Sequence, residues 1–291
     1  MSHTTQALEL SQLTAENLTV DAANGVTYAY RRFGTSDNDQ PPLLFLQHFR
    51  GNLDNWDPLL VDGIAAHREV VLLDNTGVGL SSGTVPDSVT QMARDAIAFL
   101  DALEIDRVDL LGYSLGGMVA QEVALLRPRA VRRIILAGTG PRGGRQMHGW
   151  TFDIERTANN ADNGIEDLLR IFFEVTETSR ARGIEYVQRA FSRQEGADRP
   201  NGPEVTRAQY DAIVEWGIPD ETRLNRLAGI VQPVLVANGA NDMMIPTINS
   251  QLLADQLPNA RLRIYPDAAH GFLFQYPEQF ADLVTEFLST E

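Results

Sequence analysis

The 291-residue sequence predicts an α/β fold: a mostly parallel, doubly wound sheet of about eight strands, with a helical segment inserted late in the chain. Three observations predict it. Short, continuous apolar runs recur along the chain, as expected of parallel strands covered on both faces. Stretches with apolar residues at helical spacing lie between them. One glycine-flanked serine, in LLGYSLGG (110–117), sits where such a run passes into such a stretch.

The elements follow in order. NLTV (17–20) and VTYAYRRFG (26–34) flank Asn24-Gly25, a hairpin signal that adds an antiparallel edge. PPLLFLQ (41–47), EVVLLD (69–74), RVDLLG (107–112), RRIILAG (132–138), PVLVANG (233–239) and ARLRIYP (260–266) read as strands. PDSVTQMARDAIAFLDALEI (86–105) reads as a helix, with Ser88 and Gln91 spaced as a capping box. SLGGMVAQEVALLRP (114–128) is a helix stopped by Pro128, and PEQFADLVTEFL (277–288) is the final one. Residues 143–228 break the rhythm: charged, helical in character and too long for a loop. Trp150, Phe152, Phe172, Phe173, Tyr186, Phe191 and Trp216 are scattered through them. The expected organisation is a core of residues 1–142 and 229–291 around an inserted lid at 143–228, with a loose tail at about 1–14.

Composition limits the function. A formal net charge of −15 argues against nucleic acid and against an anionic membrane surface. With no cysteine there is no disulfide, thiolate metal site or cysteine nucleophile, which fits a cytoplasmic protein. No apolar run is long enough to span a bilayer, and the N-terminus lacks the pattern of a signal peptide. The sequence leaves the oligomeric state open, a homo-oligomer included.

Gly112-Tyr113-Ser114-Leu115-Gly116 fits G-x-S-x-G between a strand and a helix. The turn lifts the serine hydroxyl beside the helix N-terminus, where unpaired N–H groups suit a developing oxyanion. Without that role the stretch is an ordinary glycine-rich turn. A serine nucleophile needs a base and an orienting acid. Only His148 and His270 lie beyond Ser114. His148 falls among glycines and arginines at the start of the inserted segment, where surface or packing roles are expected. His270, in DAAHGF, follows the last strand on the same sheet edge as Ser114. For the acid, Asp242 follows the strand PVLVA; Asp267 is the rival and is expected to fix its own turn beside Pro266.

GYSLGG, Gly239-x-x-Asp242-x-x-x-Pro246 and AHGFLFQYPEQF together resemble the α/β-hydrolase-fold serine hydrolases, closest in flavour to bacterial esterases, lactonases and non-haem haloperoxidases. The resemblance runs from about residue 20 to the end, outside the inserted segment. It implies a catalytic Ser114–Asp242–His270 set and an oxyanion hole from the backbone N–H groups of Phe49 and Leu115. The stretch FLQHFRGN (45–52) departs from the family's His-Gly, placing Gln47 at the histidine and His48 at the glycine position. His48 either touches a substrate or hydrogen-bonds within its loop. Arg50 either meets a substrate carboxylate or pairs with a nearby acid. A second family pattern, Asp74-x-Thr76-Gly77-x-Gly79-x-Ser81, carries threonine where arginine is usual and reads as structural support.

The implied activity is hydrolysis of a small-molecule ester or lactone with an apolar moiety, through an acyl-enzyme, without cofactor or metal. The same triad leaves open perhydrolase, carbon–carbon hydrolase and aminopeptidase activities, and a ligand receptor that retained it.

Overall fold

The computed structural model describes residues 11–35, 40–160 and 164–290. A hairpin opens the fold. Strands β1 (Leu18–Asp21) and β2 (Thr27–Gly34) pair antiparallel around Gly25, whose φ of 83° suits a residue without a Cβ. β3 (Leu43–Leu46) leads through a 3₁₀ turn (Leu53–Asn55) to α1 (Pro58–Ala65), which starts on the Asp57 cap with proline at its first position. β4 (Glu69–Leu73), α2 (Val89–Ala102), β5 (Val108–Tyr113), α3 (Leu115–Leu126) and β6 (Val131–Ala137) follow. After the inserted segment come β7 (Val234–Gly239), α8 (Ile248–Gln256), β8 (Ala260–Tyr265), the short α9 (Phe272–Gln275) and α10 (Pro277–Ser289).

The eight strands form one sheet in the order β1-β2-β4-β3-β5-β6-β7-β8, parallel except for β1 and β2. β3, β5 and β7 are buried at every position, because helices cover both faces. The edge strands β1 and β8 alternate between partly buried and exposed residues over most of their length. α1 packs against α10, and α2 against α3. The chain reverses its direction of travel across the sheet at β3, which lies between β4 and β5. A crevice opens at the carboxyl ends of β3 and β5, where an α/β sheet presents its loops to a ligand.

The segment between β6 and β7 is helical: α4 (Phe152–Ala158), α5 (Ile165–Phe172), α6 (Glu177–Ala190), α7 (Pro203–Trp216) and a 3₁₀ stretch (Glu221–Gly229). Its aromatics divide in a way the sequence does not show. Phe172, Phe173, Tyr186 and Trp216 are buried, whereas Phe152 and Phe191 are exposed. Several tie the segment to the sheet domain. Tyr186 stacks on Phe274 at 4.2 Å and donates its hydroxyl hydrogen to the Asn55 carbonyl at 2.9 Å; Trp216 Nε1 donates to the Gly140 carbonyl at 3.1 Å. Arg189 forks onto the fully buried Asp57 carboxylate at 2.7 and 3.0 Å, so the α1 cap also anchors α6.

Two expectations need correction. Residues 11–14 are not a loose tail: Gln12 is buried, its Nε2 donates to the Leu53 carbonyl, and Arg193 donates to the carbonyls of Gln12 and Ala15. Residues 1–10 of the expected tail lie outside the described residues. The capping box at α2 is half formed. Ser88 Oγ accepts the Gln91 N–H at 3.4 Å, but the Gln91 side chain turns along the helix to Asp95.

Candidate active site

Ser114 joins β5 to α3 with φ 56° and ψ −118°, a conformation costing about 1–3 kcal/mol for a residue with a Cβ. The surroundings enforce it. Its N–H donates to the Ala137 carbonyl at 2.8 Å, and its carbonyl accepts from Thr139 Oγ1 at 2.8 Å and Gly117 N–H at 2.9 Å. The flanking glycines are steric necessities: a Cβ on Gly116 would overlap the Leu46 carbonyl, and one on Gly112 the Gly116 backbone. The close approach brings α3 over β3. Leu115, as the first residue of α3, has no intrahelical acceptor for its N–H.

Asp242 and His270 stand at the carboxyl ends of β7 and β8. His270 Nδ1 and Asp242 Oδ2 are 2.7 Å apart, both residues almost wholly buried. Asp242 Oδ1 accepts the N–H groups of Met244 and Ile245 at 2.8 and 2.9 Å, so both carboxylate oxygens are held. A proton on Nδ1 satisfies this bond and leaves Nε2 as the basic nitrogen. The imidazole packs on Tyr113 and Phe172, with ring centroids 5.1 and 5.6 Å away. The Phe172 carbonyl accepts the Gly271 N–H at 2.6 Å, so α5 reaches the histidine loop directly.

The rival residues go elsewhere. Asp267, at φ 49°, does not tie its own turn as expected; its Oδ1 accepts the hydroxyl of Thr176, the α6 cap, at 2.9 Å. His148 is exposed, with Nδ1 3.2 Å from the Val214 carbonyl.

The loop after β3 is a tight turn. Gly51 N–H donates to the His48 carbonyl at 3.0 Å, with Phe49 and Arg50 between them. Arg50 has φ 62°, the left-handed geometry that a type II turn requires at its third position and usually assigns to glycine. Gln47, at the usual histidine position, cages the loop. Its Oε1 accepts the His48 N–H and its Nε2 donates to the Asn52 carbonyl, both at 2.9 Å. His48 Nδ1 lies 2.8 Å from the Phe49 carbonyl, which can only accept, so the proton is on Nδ1. Burial, opposed by that bond and reinforced by neighbouring His270, pushes the His48 pKa down to about 3. Among the described residues the Arg50 guanidinium meets no acid; its Nη1 donates to the carbonyls of Ala158 and Asn160 at 2.8 and 3.0 Å. Two residues that no motif marks complete the loop. Gln209 of α7 accepts the Arg50 N–H at 2.6 Å, and Asn201 Nδ2 donates to the Arg50 carbonyl at 2.8 Å.

A cavity of about 710 Å³ brings together Ser114, His270, His48, Phe49 and Arg50. One wall is apolar, from Leu168, Ile171, Phe172, Val187 and Ala190; the other end is polar, with Asn52, Asp54, Arg193, Asp198 and Asn201. Asp54 is occupied by Arg31. Asp198 meets Asp74, and Leu53 N–H donates to both, at 3.3 and 2.9 Å. Burial and the neighbouring Asp198 carboxylate raise the Asp74 carboxyl well above the usual range, and burial raises that of Asp198. Asp74 is thus the support behind the site that its motif suggested, with Leu80 N–H and Ser81 Oγ bonded to it as well. Thr76, in the usual arginine position, donates instead to Asp95.

Among the described residues no three His, Cys, Asp or Glu gather as a metal-binding group, and no helix is long and apolar enough to cross a membrane. Comparison with known proteins places the fold. A solved structure from Chitinophaga pinensis, described as an alpha/beta hydrolase fold protein, is 40% identical, covering 97% of this chain and 100% of its own, with a TM-score of 0.90. The putative carbamate hydrolase RutD of Caulobacter sp. (strain K31) is 29% identical over 275 residues, 89% of this chain and 94% of its own length. The structure described as Est816, an N-acyl homoserine lactone degrading enzyme, is 26% identical, covering 93% of this chain and all of its own, with a TM-score of 0.71. The family model of the alpha/beta hydrolase fold matches residues 41–277, and the chain belongs to that family.

Proposed function

We propose that this hydrolase cleaves a carboxylic ester or lactone through an acyl-enzyme on Ser114. The observation that carries the reading is the 2.7 Å pairing of His270 Nδ1 with Asp242, whose other oxygen two backbone N–H groups hold, with His270 and Ser114 lining one cavity. His270 Nε2 takes the Ser114 Oγ proton as the oxygen attacks the carbonyl carbon. The oxyanion is received by the backbone N–H groups of Phe49 and Leu115, each worth roughly 3 kcal/mol at the transition state. Asp242 holds the imidazole in its tautomer and balances the imidazolium. The imidazolium then protonates the leaving alkoxide as the carbon–oxygen bond breaks. A water molecule, deprotonated at the same Nε2, releases the acid and regenerates Ser114.

The apolar wall suits an acyl or alcohol group of similar character, in a cavity of the size small-molecule sites have. We read residues 143–228 as the lid over it, since α5 and α6 supply most of that wall. A carbamate offers the same carbonyl, and the similarity to a putative carbamate hydrolase favours it as a second reading. The test is hydrolysis of a p-nitrophenyl ester series, N-acyl homoserine lactones and a phenyl carbamate by the wild type and Ser114→Ala. Turnover that falls by about three orders of magnitude or more in the variant supports the reading. Turnover that survives it removes Ser114 from the chemistry, and the preferred substrate chooses between ester, lactone and carbamate.

A further inference from the structure

The turn at residues 48–51 has its backbone groups committed in an unequal way. The His48 carbonyl accepts from Gly51 N–H, and the Phe49 carbonyl from its neighbour's Nδ1–H. The Arg50 N–H goes to Gln209 and the Arg50 carbonyl to Asn201. The Phe49 N–H is left without a hydrogen bond among the described residues. This is the group assigned above to the oxyanion, and Phe49 lines the cavity. Both groups of Arg50 are therefore held from the inserted segment, not from the sheet domain that carries the turn.

The hold has a reason. Arginine has no intrinsic preference for φ 62°, and the chain does not use glycine there. Relaxation of Arg50 towards the right-handed region would rotate the Phe49–Arg50 peptide, turn the Phe49 carbonyl away from His48 Nδ1 and so loosen the turn that presents the Phe49 N–H. Gln209 is fully buried, and only its oxygen is used: Nε2 has no partner among the described residues. Asn201 is braced in turn, because its Oδ1 accepts the Gly79 N–H at 3.0 Å. The guanidinium of Arg50 ties the same residue to the end of α4.

We propose that Gln209 and Asn201 are positioning residues for the oxyanion hole: the inserted segment holds Arg50 in its left-handed conformation, and so steadies the turn that presents the Phe49 N–H. The inference rests on the hydrolase reading above. It assigns the segment a part in stabilising the transition state as well as in shaping the cavity. A misplacement of about 1 Å in such a donor is enough for losses near a hundredfold.

The test uses the full chain. Gln209→Met removes the acceptor and keeps the side-chain bulk; Gln209→Glu keeps an oxygen; Asn201→Asp removes the donor to the Arg50 carbonyl and keeps the acceptor for Gly79. The best ester of the series, and a trifluoromethyl ketone built on its acyl group, report on substrate and tetrahedral adduct separately. In Gln209→Met and Asn201→Asp we expect kcat to fall about ten- to hundredfold with KM within about twofold. The ketone should weaken in step with kcat/KM, and amide exchange across residues 47–52 should quicken. Gln209→Glu should recover most of the loss. Ser114-dependent turnover that is unchanged in Gln209→Met, or a loss confined to KM, overturns the proposal. So does unaltered exchange at 47–52, whether or not any ester is turned over. If Gln209→Met fails to fold, Asn201→Asp carries the same readings. Turnover that persists in Ser114→Ala would instead remove the hydrolase reading, leaving exchange at 47–52 to decide the hold on Arg50.

Discussion

Asp242 and His270, 28 residues apart on the loops after β7 and β8, meet at 2.7 Å, with the second oxygen of Asp242 fixed by two backbone N–H groups. The carboxylate thus has one orientation, and through it the imidazole has one tautomer. Asp242→Asn should leave the loop nearly intact while allowing the amide to donate towards Nδ1, which favours the tautomer with its proton on Nε2. We expect kcat to drop by about 10⁴-fold with little change in melting temperature. Steady-state kinetics on the best ester check it; a loss below tenfold would contradict the assigned role of Asp242.

His48 makes a different prediction, in stability. Its pKa is about 3 in the folded chain against 6.5 for an unperturbed histidine, chiefly through burial. Between those values the unfolded chain binds a proton that the folded one does not, so stability falls as pH drops below 6.5. His48→Phe abolishes this contribution and keeps the ring. The stability difference between wild type and variant, from urea unfolding, should shift against the wild type by about 2 kcal/mol between pH 7.5 and pH 5. An unchanged difference would mean that His48 is protonated in the folded state.

Asp74 and Asp198 predict the opposite slope. Burial raises both carboxyls, and the neighbouring Asp198 raises Asp74 further, so the folded chain retains protons that the unfolded chain has released above the usual carboxylate range. That stability is present at acid pH and is lost as pH rises through the raised values. Asp198→Asn imitates the protonated partner at every pH. We expect its melting temperature relative to wild type to be higher at pH 8 than at pH 5. Equal shifts at the two values would show that the pair carries no shared proton.

Much of this was legible without coordinates, for a physical reason. The parallel strands are buried on both faces, so they announce themselves as continuous apolar runs, and β3 to β7 fall within about two residues of the sequence reading. Ser114 was legible because its backbone conformation needs Gly112 and Gly116 on either side, which fixes residue types at fixed spacing. Asp242 and His270 were legible because each follows a strand at the sheet's carboxyl edge, where topology gathers the loops.

Other features exist only in three dimensions. No local pattern marks Gln209 or Asn201, since their partner Arg50 is over 150 residues away and any acceptor or donor of the right reach would serve. Asp267 was misread because its partner, Thr176, is distant in sequence and lies on the inserted segment. The proton on His48 Nδ1 and the pairing of Asp74 with Asp198 follow from burial and neighbours, which composition does not encode. The sheet, the turn at Ser114 and the candidate triad can be read from residue order, because they depend on backbone geometry and local spacing. The walls of the cavity, the hold on Arg50 and the charge states around the site emerge only on folding, because they depend on which distant side chains pack together.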